Sequence, residues 1–259
     1  MEIDPKHAKA YTVWATALFN LGRSEEGLNK FAKAAEVDPK DASILAAWAG
    51  ALGSLGRFKE EAVKCAQAVA TDPNCALAYS NWGIALSEMG RKAGACKKYA
   101  KAVEINPQYA MAYLKWGVAL WEMDKTEKAG KKFAMAVEAD PKLADAWFHW
   151  GRLLGHLGRQ AEACEKWQKV VELKPDWAEA YYNWSLALGQ LGRYKEACEK
   201  CEKATTLDPK LADAYFSWGI SLNDLGKRRD AIEKLDKAVK LKPELKPSVD
   251  RYKRGWKKE

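Results

Sequence analysis

The chain has 259 residues, of which 48% are hydrophobic and 30% are charged, and it carries a formal net charge of +8. This composition supplies enough apolar residues for a core and excludes a chain that is disordered throughout. No apolar run reaches the ~20 residues of a membrane-spanning helix, and the first residues have neither the basic nor the apolar segment of a signal peptide. We therefore expect a folded cytoplasmic protein with no membrane partner.

The tryptophans and prolines recur at a fixed spacing along the chain. Seven of the 12 tryptophans lie 34 residues apart, from Trp14 to Trp218, and eight prolines do the same from Pro5 to Pro243. A period of this length is typical of a repeat array. The seven predicted repeats span residues 8–41, 42–75, 76–109, 110–143, 144–177, 178–211 and 212–245.

Each repeat carries two apolar stripes at helical spacing. With positions counted from 1 and the periodic proline at 32, apolar residues fall at 4, 7, 11 and 14 and again at 20, 24, 27 and 28. Position 15 is Gly in six repeats and Asp124 in the fourth, which suits the left-handed residue that ends a helix. The proline ends the second helix. The pattern predicts a helix, a tight turn and a second helix, and neighbouring pairs must stack to bury both stripes.

This pattern resembles the tetratricopeptide repeat (TPR) family. The 34-residue period, Tyr at 4, Gly or Ala at 8, Ala at 20, an aromatic residue at 24, Ala at 27 and Pro at 32 are characteristic of that family, and Ala78–Gly83 and Ala180–Ser185 are close forms of its first helix. The resemblance covers nearly the whole chain and implies an all-α, right-handed solenoid (superhelix) of seven helix-turn-helix repeats. The chain departs from the family by having Trp at position 7 throughout, and Gly27 and Glu61 at position 20.

The two ends extend the repeat pattern. Residues 1–7 match the tail of a repeat, and we interpret them as the remnant of a preceding one. Residues 246–259 are predicted to form a C-terminal capping helix, with Val249, Tyr252 and Trp256 facing inward. The last 20 residues carry +5 of the total charge, so nucleic-acid binding through this basic helix is the weaker alternative function. The N-terminal repeat has no matching cap, which raises the hypothesis of a homo-oligomer formed through that end.

Basic residues also recur within every repeat. Position 23 is always Lys and position 16 is always Lys or Arg, while position 19 is acidic in five repeats. An acid four residues before a base is a favourable helix pairing. We therefore predict that the lysines at position 23 pair with the acids at position 19, and that they do not form a nucleic-acid track.

No residue pattern predicts catalysis. Motifs for metalloproteases, serine hydrolases, nucleotide phosphates and dinucleotides are absent from the sequence, so we expect no enzyme activity, no cofactor and no metal site. Cys198 and Cys201 form a CxxC, but it lies in a predicted helix with no second pair. The six cysteines are interpreted as helix-packing residues in a reducing compartment.

The resemblance implies that the first helices line a concave groove through positions 2, 5, 6, 9, 12 and 13. The subtype that clamps a C-terminal carboxylate needs Lys at 5 and Asn at 9, and neither occurs here. From the third repeat onward the groove columns become apolar and aromatic, which favours a scaffold that binds an apolar protein or peptide segment, extended or helical. A self-assembling array is the alternative, and the aromatic column at position 5 has the competing interpretation of packing on the next repeat. The predicted peptide-binding residues are Asn81, Ile84, Leu114, Lys115, Val118, Trp121, Phe148, His149, Arg152, Tyr182, Asn183, Leu186, Phe216 and Ile220.

Overall fold

A computed structural model describes residues 7–256, and within them the chain forms α-helices and one 3-10 turn, with no strand. The predicted all-α architecture of repeated helix-turn-helix pairs is therefore confirmed. Residues 1–6 of the predicted remnant, which spans 1–7, and the last three residues of the predicted cap, 257–259, lie outside the described residues. The helices are α1 (Ala8–Asn20), α2 (Ser24–Val37), α3 (Ala42–Ser54), α4 (Phe58–Thr71), α5 (Ala76–Glu88), α6 (Lys92–Ile105), α7 (Ala110–Trp121), α8 (Thr126–Ala139), α9 (Ala144–His156), α10 (Gln160–Leu173), α11 (Ala178–Gln190), α12 (Tyr194–Leu207), α13 (Ala212–Asp224), α14 (Arg228–Leu241) and α15 (Lys246–Gly255), and the 3-10 turn is Pro243–Leu245.

The helices belong to two compact units that divide after Pro141. Within each unit the two helices of a pair pack together, and the second helix of a pair packs on the first helix of the next pair. The first unit contains α1 to α8 and the second contains α9 to α15. No helix among residues 7–256 is both long enough and apolar enough to cross a bilayer.

The turn inside each pair is built around position 15. All six glycines there have φ between 71° and 75°, and Asp124 has φ of 58°. In the first repeat, the amide of Arg23 donates a hydrogen bond of 2.9 Å to the carbonyl of Leu18, and the same bond recurs in the other repeats. The predicted left-handed residue is thus confirmed, and it lets the chain reverse within three residues.

The close packing of the two helices in a pair depends on positions 8 and 24. A Cβ atom added to Gly117, at position 8, would lie 2.6 Å from the ring of Phe133, at position 24. Gly83 and Tyr99 are related in the same way. Where position 24 holds the smaller Cys65, position 8 is Ala49. In these repeats the volumes at the two positions compensate, whereas the first repeat combines Ala15 with Phe31 and has Gly27 at position 20.

The lysine at position 23 lies over the tryptophan at position 7 in all seven repeats. The distance from Nζ to the ring centroid runs from 3.2 Å for Lys98 over Trp82 to 4.6 Å for Lys234 over Trp218. A lysine ammonium at this distance is attracted by the electron-rich ring face. These seven contacts connect the two helices of each pair.

The acids at position 19 pair with a different residue from the one predicted. In four repeats the carboxylate accepts hydrogen bonds from the arginine at position 16, with N–O distances of 2.6–2.7 Å, as in Arg23–Glu26. These bonds hold the pKa of each carboxyl below its usual range. The predicted pairing of position 19 with the lysine at position 23 is therefore corrected. The reason is that the planar guanidinium offers two parallel donors to the carboxylate, while the lysine reaches the indole.

One carboxyl group is buried within the first unit. The side chain of Glu61, at position 20, is only 1% exposed, and its Oε2 atom has no hydrogen-bond partner. Its carboxyl occupies the space beside Gly53, where an added Cβ would lie within 2.8 Å of the carboxyl carbon. Burial, together with the nearby charge of Glu88, raises the pKa of Glu61 to about 7. This carboxyl is therefore neutral over much of the acidic pH range.

Candidate functional site

The second unit contains a pocket between the first helices α11 and α13. It has a volume of about 350 Å³, and four of the predicted groove residues line it: Tyr182, Leu186, Phe216 and Ile220. Leu186 is 37% exposed, and the other three are half-buried. Positions 5 and 9 of neighbouring first helices therefore face one another here, as the predicted groove requires.

The wall of this pocket also carries polar groups from positions 2 and 13 of the groove columns, which were not among the predicted peptide-binding residues. Asp213 lies 3.1 Å from the Nζ atom of Lys242, and Asp224 accepts a hydrogen bond of 3.2 Å from the hydroxyl of Tyr252 on α15. Burial and the neighbouring Asp213 raise the pKa of Tyr182 to about 12, so its phenol remains protonated at neutral pH. The pocket thus combines an apolar floor with acidic groups at its edge.

Phe148 differs from the expectation for a groove residue. Its side chain is only 4% exposed, and its ring stacks on Trp177 at a centroid distance of 4.3 Å and meets Trp167 edge-on at 5.2 Å. The ring is buried, as in the competing interpretation, but these two contacts are with tryptophans of its own repeat, whereas that interpretation placed it on the next repeat. Phe148 belongs to the core of the second unit and offers little surface to a ligand.

The remaining predicted residues of the second unit lie nearer the surface. Arg152 is exposed, with its guanidinium carbon 6.0 Å from the centroid of the Phe148 ring, and His149 is half-buried against the same ring. Asn183 is half-buried, and its Nδ2 atom donates a hydrogen bond of 2.8 Å to the carbonyl of Glu179 one turn earlier. That bond occupies one amide donor that was expected to hold a peptide backbone.

The first unit presents a less open version of the same columns. Leu114 is only 3% exposed and lies in the core, so it does not offer the surface expected of it. Asn81 donates a hydrogen bond of 3.0 Å to the carbonyl of Ala46, which fastens α5 to α3. Of the other predicted residues, Lys115 is exposed, and three are half-buried. Those three are Ile84, Val118 and Trp121.

A pocket in the first unit was not predicted from the sequence. It has a volume of about 430 Å³ and lies where α5 meets α6. A signal was present in the sequence, because the acid at position 19 is replaced by Gly94 in this repeat. The lining residues are Tyr79, Trp82, Leu86, Arg91, Gly94, Lys97, Lys98 and Lys101.

The helix after the last repeat has the predicted apolar face. Val249 of α15 is 2% exposed, and Tyr252 and Trp256 are half-buried. Lys253 of α15 forms a salt bridge of 2.6 Å with Asp236 on α14. The basic charge of this helix is therefore partly used in attaching it to the final repeat.

The cysteines are all free thiols, and three of them are buried. Burial raises the pKa of both Cys198 and Cys201 to about 11, so the CxxC pair is protonated at neutral pH. A thiol must lose its proton to bind a metal or attack a disulfide. Within residues 7–256, no group of three or more His, Cys, Asp or Glu side chains could hold a metal ion.

The repeated helix pairs are similar to those of a known protein family. Models described as tetratricopeptide repeat match residues 76–109, 114–176 and 178–211, which together make up just over half of the chain. A comparison with curated proteins gives no match.

Solved structures share the architecture. YrrB, described as a TPR protein with an unusual peptide-binding site, is 26% identical, with 73% of this chain and 97% of that chain covered and a TM-score of 0.66. MamA from Desulfovibrio magneticus RS-1 is 21% identical, with coverages of 65% and 96% and a TM-score of 0.61. A chain of the APC/C hetero-tetramer Cut9–Hcn1 is 15% identical, with coverages of 93% and 47% and a TM-score of 0.68. On the repeat pattern, the helix pairs and these matches, the chain belongs to the tetratricopeptide repeat family.

Proposed function

We propose that this protein is a non-enzymatic interaction scaffold that binds an apolar peptide segment, extended or helical, on the surface of its first helices. The family supports a role in protein–protein interaction. The similarity to YrrB, whose description names a peptide-binding site, supports a peptide as the ligand.

The observation that carries the proposal is the pocket between α11 and α13. Its volume of about 350 Å³ lies at the lower end of the range of small ligand sites. The rings of Tyr182 and Phe216 and the side chain of Leu186 give it apolar walls that remain accessible. Asp213 is already paired with Lys242, so it is the charge of Asp224 at the edge that favours a positively charged residue beside the bound apolar side chain. A peptide with an apolar residue next to a lysine or arginine fits this arrangement.

A charge placed in the pocket tests this proposal. We expect Leu186→Lys to weaken binding of such peptides by about tenfold or more, because the added ammonium would be buried on binding and would repel the positively charged residue of the peptide. Peptides would be selected from a peptide array with the purified wild-type chain, and their dissociation constants would then be measured by fluorescence anisotropy.

The matched control is Leu191→Lys, since Leu191 is 41% exposed at the end of the same helix but does not line the pocket. Helical circular dichroism should be unchanged in both variants. Equal affinity of the two variants for the selected peptides would contradict the proposed site.

Self-association through α1 is a second candidate function. Val13 is 70% exposed and Leu21 is 71% exposed, whereas the leucines at the position of Leu21 in four later repeats are 38–46% exposed. A second copy of the chain that packs on Val13 and Leu21 would remove this apolar surface from water. Light scattering over a concentration series should then show a mass increase that Val13→Glu removes, and a monomer at every concentration would exclude this candidate.

A further inference from the structure

The arginine at position 16 forms a salt bridge in some repeats and not in others. In the first, second, fifth and sixth repeats this arginine binds the glutamate at position 19 with N–O distances of 2.6–2.7 Å. In the third repeat the arginine is Arg91, and position 19 is Gly94. Among residues 7–256, Arg91 has no salt bridge. The third repeat therefore keeps the cation and lacks the anion.

The surroundings of Arg91 increase this excess of positive charge. Residues 91–101 contain five cations and no acid. Lys92 pairs with Glu122 at 3.1 Å and Lys101 with Glu104 at 2.7 Å. Position 22, which is Glu in the last three repeats, is Lys97 here, and Lys97 also has no salt bridge within the described residues. Two cations that line the same pocket thus have no salt-bridge partner in the described part of the chain.

These cations border a recess with an aromatic floor. The pocket of about 430 Å³ is formed by Tyr79, Trp82 and Leu86 of α5 and by the cationic residues of α6. Lys98 lies 3.2 Å above the Trp82 ring, and burial lowers its pKa. Because Gly94 has no side chain, the recess stays open at the place where other repeats hold a glutamate. The α5 residues of the recess are different from Asn81 and Ile84, which belong to the groove columns.

We propose that this recess binds an acidic peptide segment, with a carboxylate of the peptide taking the place of the missing glutamate beside Arg91. The guanidinium can bind a carboxylate through two parallel hydrogen bonds, and Lys97 supplies a second charge. The aliphatic part of the acidic side chain then packs on Leu86 and Tyr79. The site is separate from the pocket between α11 and α13, and the proposal does not depend on that one.

A peptide fits the distribution of charge better than a nucleic-acid strand does. A strand needs a continuous track of cations for its phosphates. In the two preceding repeats, Arg23 and Arg57 are already paired with glutamates, so the track ends at the third repeat. The following repeat adds Lys128 and Lys131 at positions 19 and 22. Only the third and fourth repeats combine a lysine at position 22 with the absence of an acid at position 19, so this local excess of positive charge spans two repeats, which suits a short acidic segment.

The variant Gly94→Glu tests the proposal, because it supplies the carboxylate that Arg91 lacks and fills the recess. Glu is also a better helix former than Gly, so the fold should be retained. A fluorescein-labelled oligoglutamate peptide and a labelled oligothymidylate of equal charge would be titrated with the full chain and followed by fluorescence anisotropy. We expect the peptide to bind the wild type, and we expect Gly94→Glu to weaken this binding about tenfold.

The control is Lys203→Gln, which removes one positive charge from a surface helix of the sixth repeat and should change the affinity less than about twofold. A second variant, Arg91→Gln, should weaken binding of the peptide as Gly94→Glu does. The proposal is overturned if Gly94→Glu and Lys203→Gln bind the peptide equally well. It is also overturned if the oligothymidylate binds more tightly than the peptide and Arg91→Gln affects only the oligothymidylate.

Discussion

Replacing Glu61 by glutamine is expected to stabilise the protein at pH 8 and to change it little at pH 5. The folded-state pKa of Glu61 is about 7, raised from 4.5 by burial and by Glu88. A carboxyl with a raised pKa favours folding while it is protonated in the folded state. Its contribution to the free energy of unfolding is complete below pH 4.5 and is lost as the pH rises to about 7. The pKa difference corresponds to at most about 3 kcal/mol at pH 8.

Urea unfolding followed by helical circular dichroism at pH 5 and pH 8 measures this effect. The wild type should lose free energy of unfolding between the two pH values, and Glu61→Gln should lose less. Glu127→Gln serves as the control because Glu127 is exposed on α8 of the same unit. The same pH dependence in the wild type and Glu61→Gln would show that the buried carboxyl does not titrate in this range.

Gly117→Ala is expected to destabilise the first unit by roughly 1–3 kcal/mol. The added Cβ would lie 2.6 Å from the ring of Phe133, and a ring buried in a close-packed core can move only by displacing its own neighbours. Gly94→Ala in the same unit is the control, because its Cβ would meet only Leu86 at an ordinary 3.5 Å. That variant should instead stabilise by about 0.5–1 kcal/mol through helix propensity.

The chain itself suggests how the loss in Gly117→Ala can be recovered. In the second repeat the same two positions hold Ala49 and Cys65. The double variant Gly117→Ala with Phe133→Cys should therefore be less destabilised than the sum of the two single variants, as measured by urea unfolding. Strict additivity would mean that the two side chains do not compete for the same space.

The sequence was sufficient to predict features that recur in every repeat. The helix pair and the left-handed turn residue depend on local preferences that are repeated seven times, and Asp124 adopts the turn conformation despite replacing Gly. The partner of the lysine at position 23 was predicted incorrectly. Both an acid four residues earlier and an indole on the other helix were available, and only the packing of the two helices decides between them.

Features specific to one repeat were harder to predict. Phe148 is buried because Trp177, at the end of the same repeat, stacks on it. No other repeat has Trp at that position, so the periodic pattern carried no information about this contact. The groove expectation was closer to the structure for Tyr182 and Phe216, which do line a pocket. Whether that pocket binds a peptide remains a prediction.

The contact between Lys at position 23 and Trp at position 7 has a consequence for how the chain folds. Each contact joins residues 16 positions apart and closes within one helix pair. Contacts of such short sequence separation require little loop-closure entropy, and they form early when a chain folds. Every helix pair thus contains a short-range contact from which its folding can start. A pair that opens transiently loses its own lysine–indole contact, while the pairs on either side keep theirs and provide a template on which it can close again.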